Sequence, residues 1–371
     1  MGDDHCGEGP AEAASTAPVC LDGAMGEGGG QVLRSALSLS LLTGRPFRMS
    51  RIRAHRDRPG LRPQHLAAVR AAARIGQARV RGDRVGSAEI DFFPGPVRPG
   101  AYHFDIGTAG ATALVLQTLL LPLARAPIES EIAIHGGTHV PWSPCFHYLD
   151  WHWRPMLARL GIPFDLEMPM AGFYPEGGGE LRARIRGGAR PKPLHLAERG
   201  ALRRVRGLSA VANLPIEIGE RQRTRALRAL KTVLPGIRPE LDLVELPAHS
   251  RGTLLLLLVE FEAGQACFFS LGARGKRAEQ VAEEAVNGLE GFLKGDGALD
   301  PWLADQLLLP LAMAEGQSVF QTSEATLHLL TNAEVIRRFL PVAIGIDAPL
   351  GRPATIRVQP LSSACEHAGD G

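Results

Sequence analysis

Residues 26–44 read GEGGGQVLRSALSLSLLTG, a glycine-rich start that turns directly into an apolar helix. Two later stretches share this texture. GTAGATALVLQTLLLPLA (107–124) and LADQLLLPLAMAEG (303–316) also pass from small or polar residues into an apolar helical run. Between the first two lie strand-like pieces, FRMSRIRAHR (47–56) and SAEIDFFPG (87–95), and a helix, LRPQHLAAVRAAARIG (61–76). SEIAIHGGT (130–138), CFHYLDWHWRPMLARLG (145–161) and GFYPEGGGELRARIRG (172–187) continue the alternation. Strands and helices thus recur in units of very roughly 80 residues, longer than solenoid periods. The pattern predicts an α/β (α+β) protein built from a few copies of one unit rather than one doubly wound sheet.

Near residue 200 the texture changes. LAERGALRRVRG (196–207) is basic and punctuated by glycine. GLSAVANLP (207–215) reads as a strand and IEIGERQRTRALRALKTVL (216–234) as a charged helix. TLLLLLVEFEAG (253–264) and ACFFSLGA (266–273) read as strands about a turn. In KRAEQVAEEAVNGLEGFL (276–293), Val281, Ala285, Val286, Leu289 and Phe292 form one helical stripe. The block 201–292 is expected to be an inserted β/α domain. The outer domain is then discontinuous, 19–200 and 293–361, with frayed tails at 1–18 and 362–371.

The chain has 371 residues, 45% hydrophobic and 22% charged, with a net charge of +2. That is ample for more than one domain, and no whole-molecule field marks a polyanion partner. Five scattered cysteines without a CxxC favour a reducing compartment over a disulfide framework. The N-terminus shows no basic region leading into an apolar run, and the longest apolar runs are too short to span a bilayer. A cytoplasmic protein is expected.

The glycine loop is neither a Walker A loop nor a dinucleotide fingerprint. No GK[ST] follows, and Gln31 stands where the third glycine of the fingerprint is required. Glycines before a helix let backbone N–H groups approach an anion. A carboxylate in such a loop repels phosphate unless a cation lies between them, so Glu27 reads as a metal ligand. It also reads as a solvated first-turn acid favoured by the helix dipole. RIRAHRDRPGLRPQHL (51–66) holds Arg51, Arg53, Arg56, Arg58 and Arg62, dense enough to line an anionic pocket or to be a solvated surface. Arg53 and Arg56 serve one site only if the strand ends near Ala54; Arg34 adds a third cation from the helix. His328 opens a helix after the strand VFQTSEATL (319–327), and a neutral imidazole is a competent nucleophile toward phosphorus. His135, His139, His147 and His152 have no zinc-like spacing. FHYLDWHW (146–153) reads as a core helix face.

These motifs resemble those of the RNA 3′-terminal phosphate cyclase family. The resemblance is carried by DGAMGEGGGQVLRSALSLSLLTGRPF, IRAHRDRPGLRPQHLAAV, GTAGATALVLQTLLLPL, GGTHVPWSPCF, GFYPEGGGE, LADQLLLPLA and HLLTNAEVIRRFLP, in family order. It implies a large domain of three repeated units, each a four-stranded sheet plus two helices, with a smaller inserted thioredoxin-like β/α domain. It implies conversion of an RNA 3′-phosphate end to a 2′,3′-cyclic phosphate with ATP and a divalent metal, Mg²⁺ or Mn²⁺. The route runs through a covalent histidine–AMP and an RNA–pp–A end, releasing AMP and pyrophosphate. By resemblance His328 is the nucleophile and Glu27 binds the metal. Arg34, Arg53, Arg56 and Gln64 line the phosphate and RNA-end pocket. Gln117, Trp302, Asp305 and Gln306 belong to the ATP site; Trp302 stands where members often carry Tyr. Two other classes share the fold: a non-catalytic RNA-processing or ribosome-assembly scaffold, and an enolpyruvate transferase.

Overall fold

The computed structural model describes residues 17–361. The expected tails fall almost wholly outside the described residues. The first stretch folds as β1 (Val19–Asp22), α1 (Gln31–Thr43), β2 (Phe47–Ser50), α2 (Pro63–Ile75), β3 (Arg79–Arg81) and β4 (Ile90–Phe93). The second is β5 (Ala101–Asp105), α3 (Thr112–Arg125), β6 (Ser130–Gly136), a three-part helix, β7 (Phe164–Met170) and β8 (Gly179–Ile185). Its helix consists of α4 (Phe146–Tyr148), a π-helical turn Leu149–Trp153 and α5 (Arg154–Arg159). After β9 (His195–Leu196) come β10 (Leu202–Ala212), α6 (Ile216–Val233), β11 (Glu240–Glu245), β12 (Gly252–Phe261), β13 (Gln265–Leu271) and α7 (Ala278–Leu293). The chain closes with α8 (Pro301–Ala312), β14 (Ser318–Thr322), α9 (Leu327–Phe339), β15 (Val342–Ile346) and β16 (Ala354–Pro360).

The protein is therefore a mixed α/β chain with four four-stranded mixed sheets. Three of them share one order, β1-β2-β4-β3, β5-β6-β8-β7 and β9-β14-β16-β15. In each, the first pair is parallel and the other two pairs are antiparallel. Parallel pairing requires a crossover, which α1, α3 and α8 supply. The segment forming the fourth sheet, β11-β10-β12-β13, interrupts the third of these units between β9 and its crossover helix α8.

The crossover helices are apolar nearly all round because they lie in the interior. In α1 even Ser38 and Ser40 are buried, and in α3 every residue from Thr112 to Ala124 except Gln117 is buried. Burial obliges each polar group to find a partner. Pro122 inside α3 has no N–H to offer the Thr118 carbonyl. The Ser38 hydroxyl of α1 donates to that carbonyl instead, at 2.7 Å. The helix α1 ends at Gly44, whose φ of 68° sets the left-handed stop.

The run LLLLLV of β12 is buried on both faces, which is why it lacks alternation. Leu254, Leu256 and Leu258 face the main core, whereas Leu255, Leu257 and Val259 face a second core with α6 and α7. The inserted sheet thus closes one side of the main core while carrying its own helices on the other.

Candidate functional site

The site lies where α1, α8 and α9 begin. A cavity is lined by Gln31 and Arg34 of α1, Gln117 of α3, Trp302, Asp305 and Gln306 of α8, and His328 and Asn332 of α9. Three helix N-termini border it; those of α1 and α9 present free N–H groups and the positive ends of their dipoles, whereas the first turn of α8 begins with Pro301 and gives its next two N–H groups to Asp300. Asp300 caps α8 by accepting from the Trp302 and Leu303 backbone N–H groups, and Thr326 caps α9 by accepting from Leu329. The N-cap of α1 is Gly30, with no side chain to compete for those donors.

At its centre is His328. Its Nε2 lies 3.0 Å from Glu27 Oε2, and its Nδ1 lies 2.7 Å from Gln31 Oε1. The orientation of the Gln31 amide is fixed from its far side, where Nε2 donates to both oxygens of Asp305 at 2.8 and 2.7 Å. A carboxylate accepts only, so Gln31 must present its oxygen to the imidazole. Nδ1 therefore carries a proton. A neutral ring then leaves only a lone pair on Nε2, which the Glu27 carboxylate, itself an acceptor, cannot bond, so exposing that lone pair requires the carboxylate to move off it. Asn332, one helical turn after His328, donates to Asp305 Oδ1 and accepts from Ser35 Oγ. Burial pushes the Asp305 carboxyl up to about 6, against the opposing pull of His328, Asn332, Arg34 and Gln31.

The remaining charges lie around this chain. Burial lowers Arg34 to about 10, with Asp305 opposing the shift. Arg56 reaches Glu27 at 3.4 Å. The strand before it ends at Ser50, earlier than the expected limit near Ala54, so residues 51–60 form a loop that brings Arg56 to the glycine turn. Arg53, at φ 55°, turns back and donates to the Arg58 and Gly60 carbonyls. Gln64 lies in the first turn of α2 beside Gly110. Of the expected site residues, Glu27, Arg53, Arg56 and Gln64 do not line the cavity, although Glu27 touches His328. His65 packs under Gly30, its pKa lowered to about 3 by burial and by Arg34, Arg53 and Arg62. At the apolar end of the cavity Trp302 is half-exposed, and two buried polar atoms lack protein partners: Gln117 Nε2 and Trp153 Nε1. Such orphans fit a bound base or water.

Glu27 offers one part-exposed carboxylate. Among the described residues no group of three or more His, Cys, Asp or Glu side chains is placed to hold a metal. The donor set fits a cation shared with phosphate oxygens and water, as Mg²⁺ tolerates, rather than a cage of protein ligands. The other histidines lie apart, with His139 on His147, His135 on Glu180 and His152 on Asp300. Tyr148 and Trp153 of FHYLDWHW are core residues.

Sequence reasoning missed Gln31, Ser35 and Asn332. Asn332 carried a signal, since four residues after His328 is the same helix face. Gln31 was seen only as a failed glycine.

The RNA 3′-terminal phosphate cyclase family model matches residues 25–346. A Ralstonia nicotianae protein named RNA 3′-terminal phosphate cyclase is 45% identical over 340 residues, covering 91% of this chain and 96% of its own. A Methylococcus capsulatus protein of the same name is 45% identical over 327 residues, covering 86% and 90%. Among solved structures, the enolpyruvyl transferase NikO from Streptomyces tendae matches 46% of this chain and 33% of its own at 20% identity, with a TM-score of 0.27. That similarity is too slight to support any conclusion.

Proposed function

Because the chain belongs to the RNA 3′-terminal phosphate cyclase family, we propose that it converts RNA 3′-phosphate ends to 2′,3′-cyclic phosphates through an adenylylated His328. Family membership implies use of ATP. The reading is carried by one observation: the cavity-lining His328 ring lies between the Gln31 amide oxygen, which fixes its tautomer, and the Glu27 carboxylate.

His328 Nε2 attacks the α-phosphorus, a P–N bond forms, and pyrophosphate leaves with the electrons of the broken P–O bond. An oxygen of the RNA 3′-phosphate then displaces the imidazole, giving an RNA–pp–A end. The adjacent 2′-OH attacks the activated phosphorus, loses its proton, and AMP departs. This last closure is intramolecular, so little orientational entropy is lost. Gln31 keeps Nδ1 protonated throughout, and Asp305 with Asn332 holds Gln31. Arg34 and the N-termini of α1 and α9 bind the triphosphate. Arg53, Arg56 and Gln64 hold the RNA end. Trp302, Gln117 and Gln306 take the adenine side. Glu27 is the residue that would hold a divalent metal, which when bound neutralises phosphate charge.

We also infer a large domain of three units, 19–200 and 293–361, with a thioredoxin-like insert at 201–292 and a cytoplasmic setting. Among the described residues no helix is long and apolar enough to cross a membrane. The test is incubation of an RNA oligonucleotide 3′-phosphate with ATP and Mg²⁺ or Mn²⁺. Formation of a 2′,3′-cyclic end with equimolar AMP is expected. An unchanged 3′-phosphate with both metals would overturn the reading.

A further inference from the structure

Away from the reacting atoms, a histidine–carboxylate pair is completely buried. His152 and Asp300 are both 0% exposed, with Nε2 2.5 Å from Oδ2. Removing a carboxylate from water is costly unless donors surround it. Asp300 has three: the imidazole, and the backbone N–H groups of Trp302 and Leu303 at 3.1 and 3.0 Å. The imidazole is fixed in turn. Gln265 Nε2 donates to His152 Nδ1 at 2.9 Å and to the His152 carbonyl at 3.0 Å. With an amide donor on Nδ1, the neutral ring carries its proton on Nε2 and gives it to Asp300.

The three residues come from three parts of the chain. His152 sits in the π-helical turn, a widening of the helix frequent at functional sites. Gln265 begins β13 of the inserted sheet, where it also bridges to Leu299. Asp300 caps α8, whose first two turns carry Trp302, Asp305 and Gln306. A cap held this way sets where α8 begins and how its first turn is oriented.

We propose that Gln265, His152 and Asp300 are positioning residues through which the inserted segment sets the affinity of the nucleotide site. None of them lines the cavity; Asp300 reaches it through α8, and His152 also adjoins Trp153, whose indole N–H is at the apolar end of the cavity. The proposal rests on the reading of α8 as the nucleotide-facing helix.

The experiment measures KM for ATP in self-adenylylation, KM for RNA 3′-phosphate in cyclisation, and the melting temperature. The proteins are wild type, Gln265→Leu, His152→Leu and the double variant His152→Leu/Asp300→Ser. Serine caps a helix without needing an imidazole donor, so the double variant restores the cap and removes the buried charge. Gln265→Leu and His152→Leu are expected to raise the ATP KM at least five-fold at a temperature well below melting, with the RNA KM unchanged. The double variant is expected to return within two-fold of wild type. Gln265, on a half-buried edge, reports even if His152→Leu does not fold. Lowered melting with unchanged ATP KM, equal shifts in both KM values, or a double variant no better than His152→Leu would each overturn the proposal. A wild type never labelled by ATP would sink the reading of the site and this inference with it. A labelled wild type with unaffected variants would sink this inference only.

Discussion

His328 has an acceptor at each ring nitrogen, and the two acceptors do different work. Glu27 faces Nε2, the nitrogen proposed to attack; Gln31 fixes the proton on the other nitrogen. Gln31→Leu removes the acceptor on Nδ1 and releases the tautomer. Single-turnover labelling of His328 is expected to slow on the order of 10- to 100-fold, since a hydrogen bond to a group gaining charge is worth about 1.5–3 kcal/mol. A rate within two-fold of wild type would leave the ring fixed by something else. Asp305 gives a second prediction at this scale. Its folded pKa lies near 6, above the ordinary 3.8, so between about pH 4 and pH 6 the folded state binds more proton than the unfolded one. Its contribution to stability is full below that window and falls as pH rises through it. Asp305→Asn should abolish this slope in denaturant midpoints measured from pH 4 to 7; an unchanged slope would assign it to other groups. Glu27 and His328 were singled out by unusual neighbours, an acid among glycines and a histidine opening a helix, and given roles only by the family resemblance; the structure brings the two side chains together. Gln31 was not, because its role depends on Asp305, a residue 274 positions away that no local pattern connects to it.

Elements show the same division. The apolar run of β12 announced a strand, but not that its alternate leucines serve two cores. FHYLDWHW was legible as a core helix face; the π-helical turn within it was not, since one extra residue per turn leaves no composition signal. The early end of β2 was marked by a break in alternation that went unread, since Phe47 and Met49 are followed in phase by Arg51 and out of phase by Ile52. Ser38→Ala tests the joint between α1 and α3. It leaves the Thr118 carbonyl without a donor in a buried place and should cost about 1–3 kcal/mol in chemical denaturation. No loss would mean that water or a shift satisfies the carbonyl. Gly26→Ala tests the seat of the glycine turn on α9. At φ 57° a Cβ would lie 1.9 Å from Thr331 Oγ1, so both backbone and neighbour resist it. The turn must move and carry Glu27 with it, so the metal requirement for adenylylation should rise; unchanged metal dependence would show that the turn adapts in place.

On the scale of the molecule, three sheets with one strand order put three crossover helices in a common interior, and the site forms where all three meet α9. The repeat was visible as three small-to-apolar stretches, and the insert as a change of texture. What the sequence could not reveal is that the inserted sheet lends a face to the main core, because that depends on which side of β12 meets which partner. Cys145 and Cys267 sit in this shared core, the first pushed up to about 12 by burial and the second also raised. Both should resist thiol reagents in the native protein, while exposed Cys20 reacts at once, as read by peptide mass; rapid native labelling of Cys267 would mean that the insert separates from the core. The most direct test is to incubate the protein with α-labelled ATP and a divalent metal, then map the label. AMP is expected on the peptide carrying His328, attached at Nε2, and absent from His328→Ala. Label on any other residue, or label that survives His328→Ala, would contradict the mechanism.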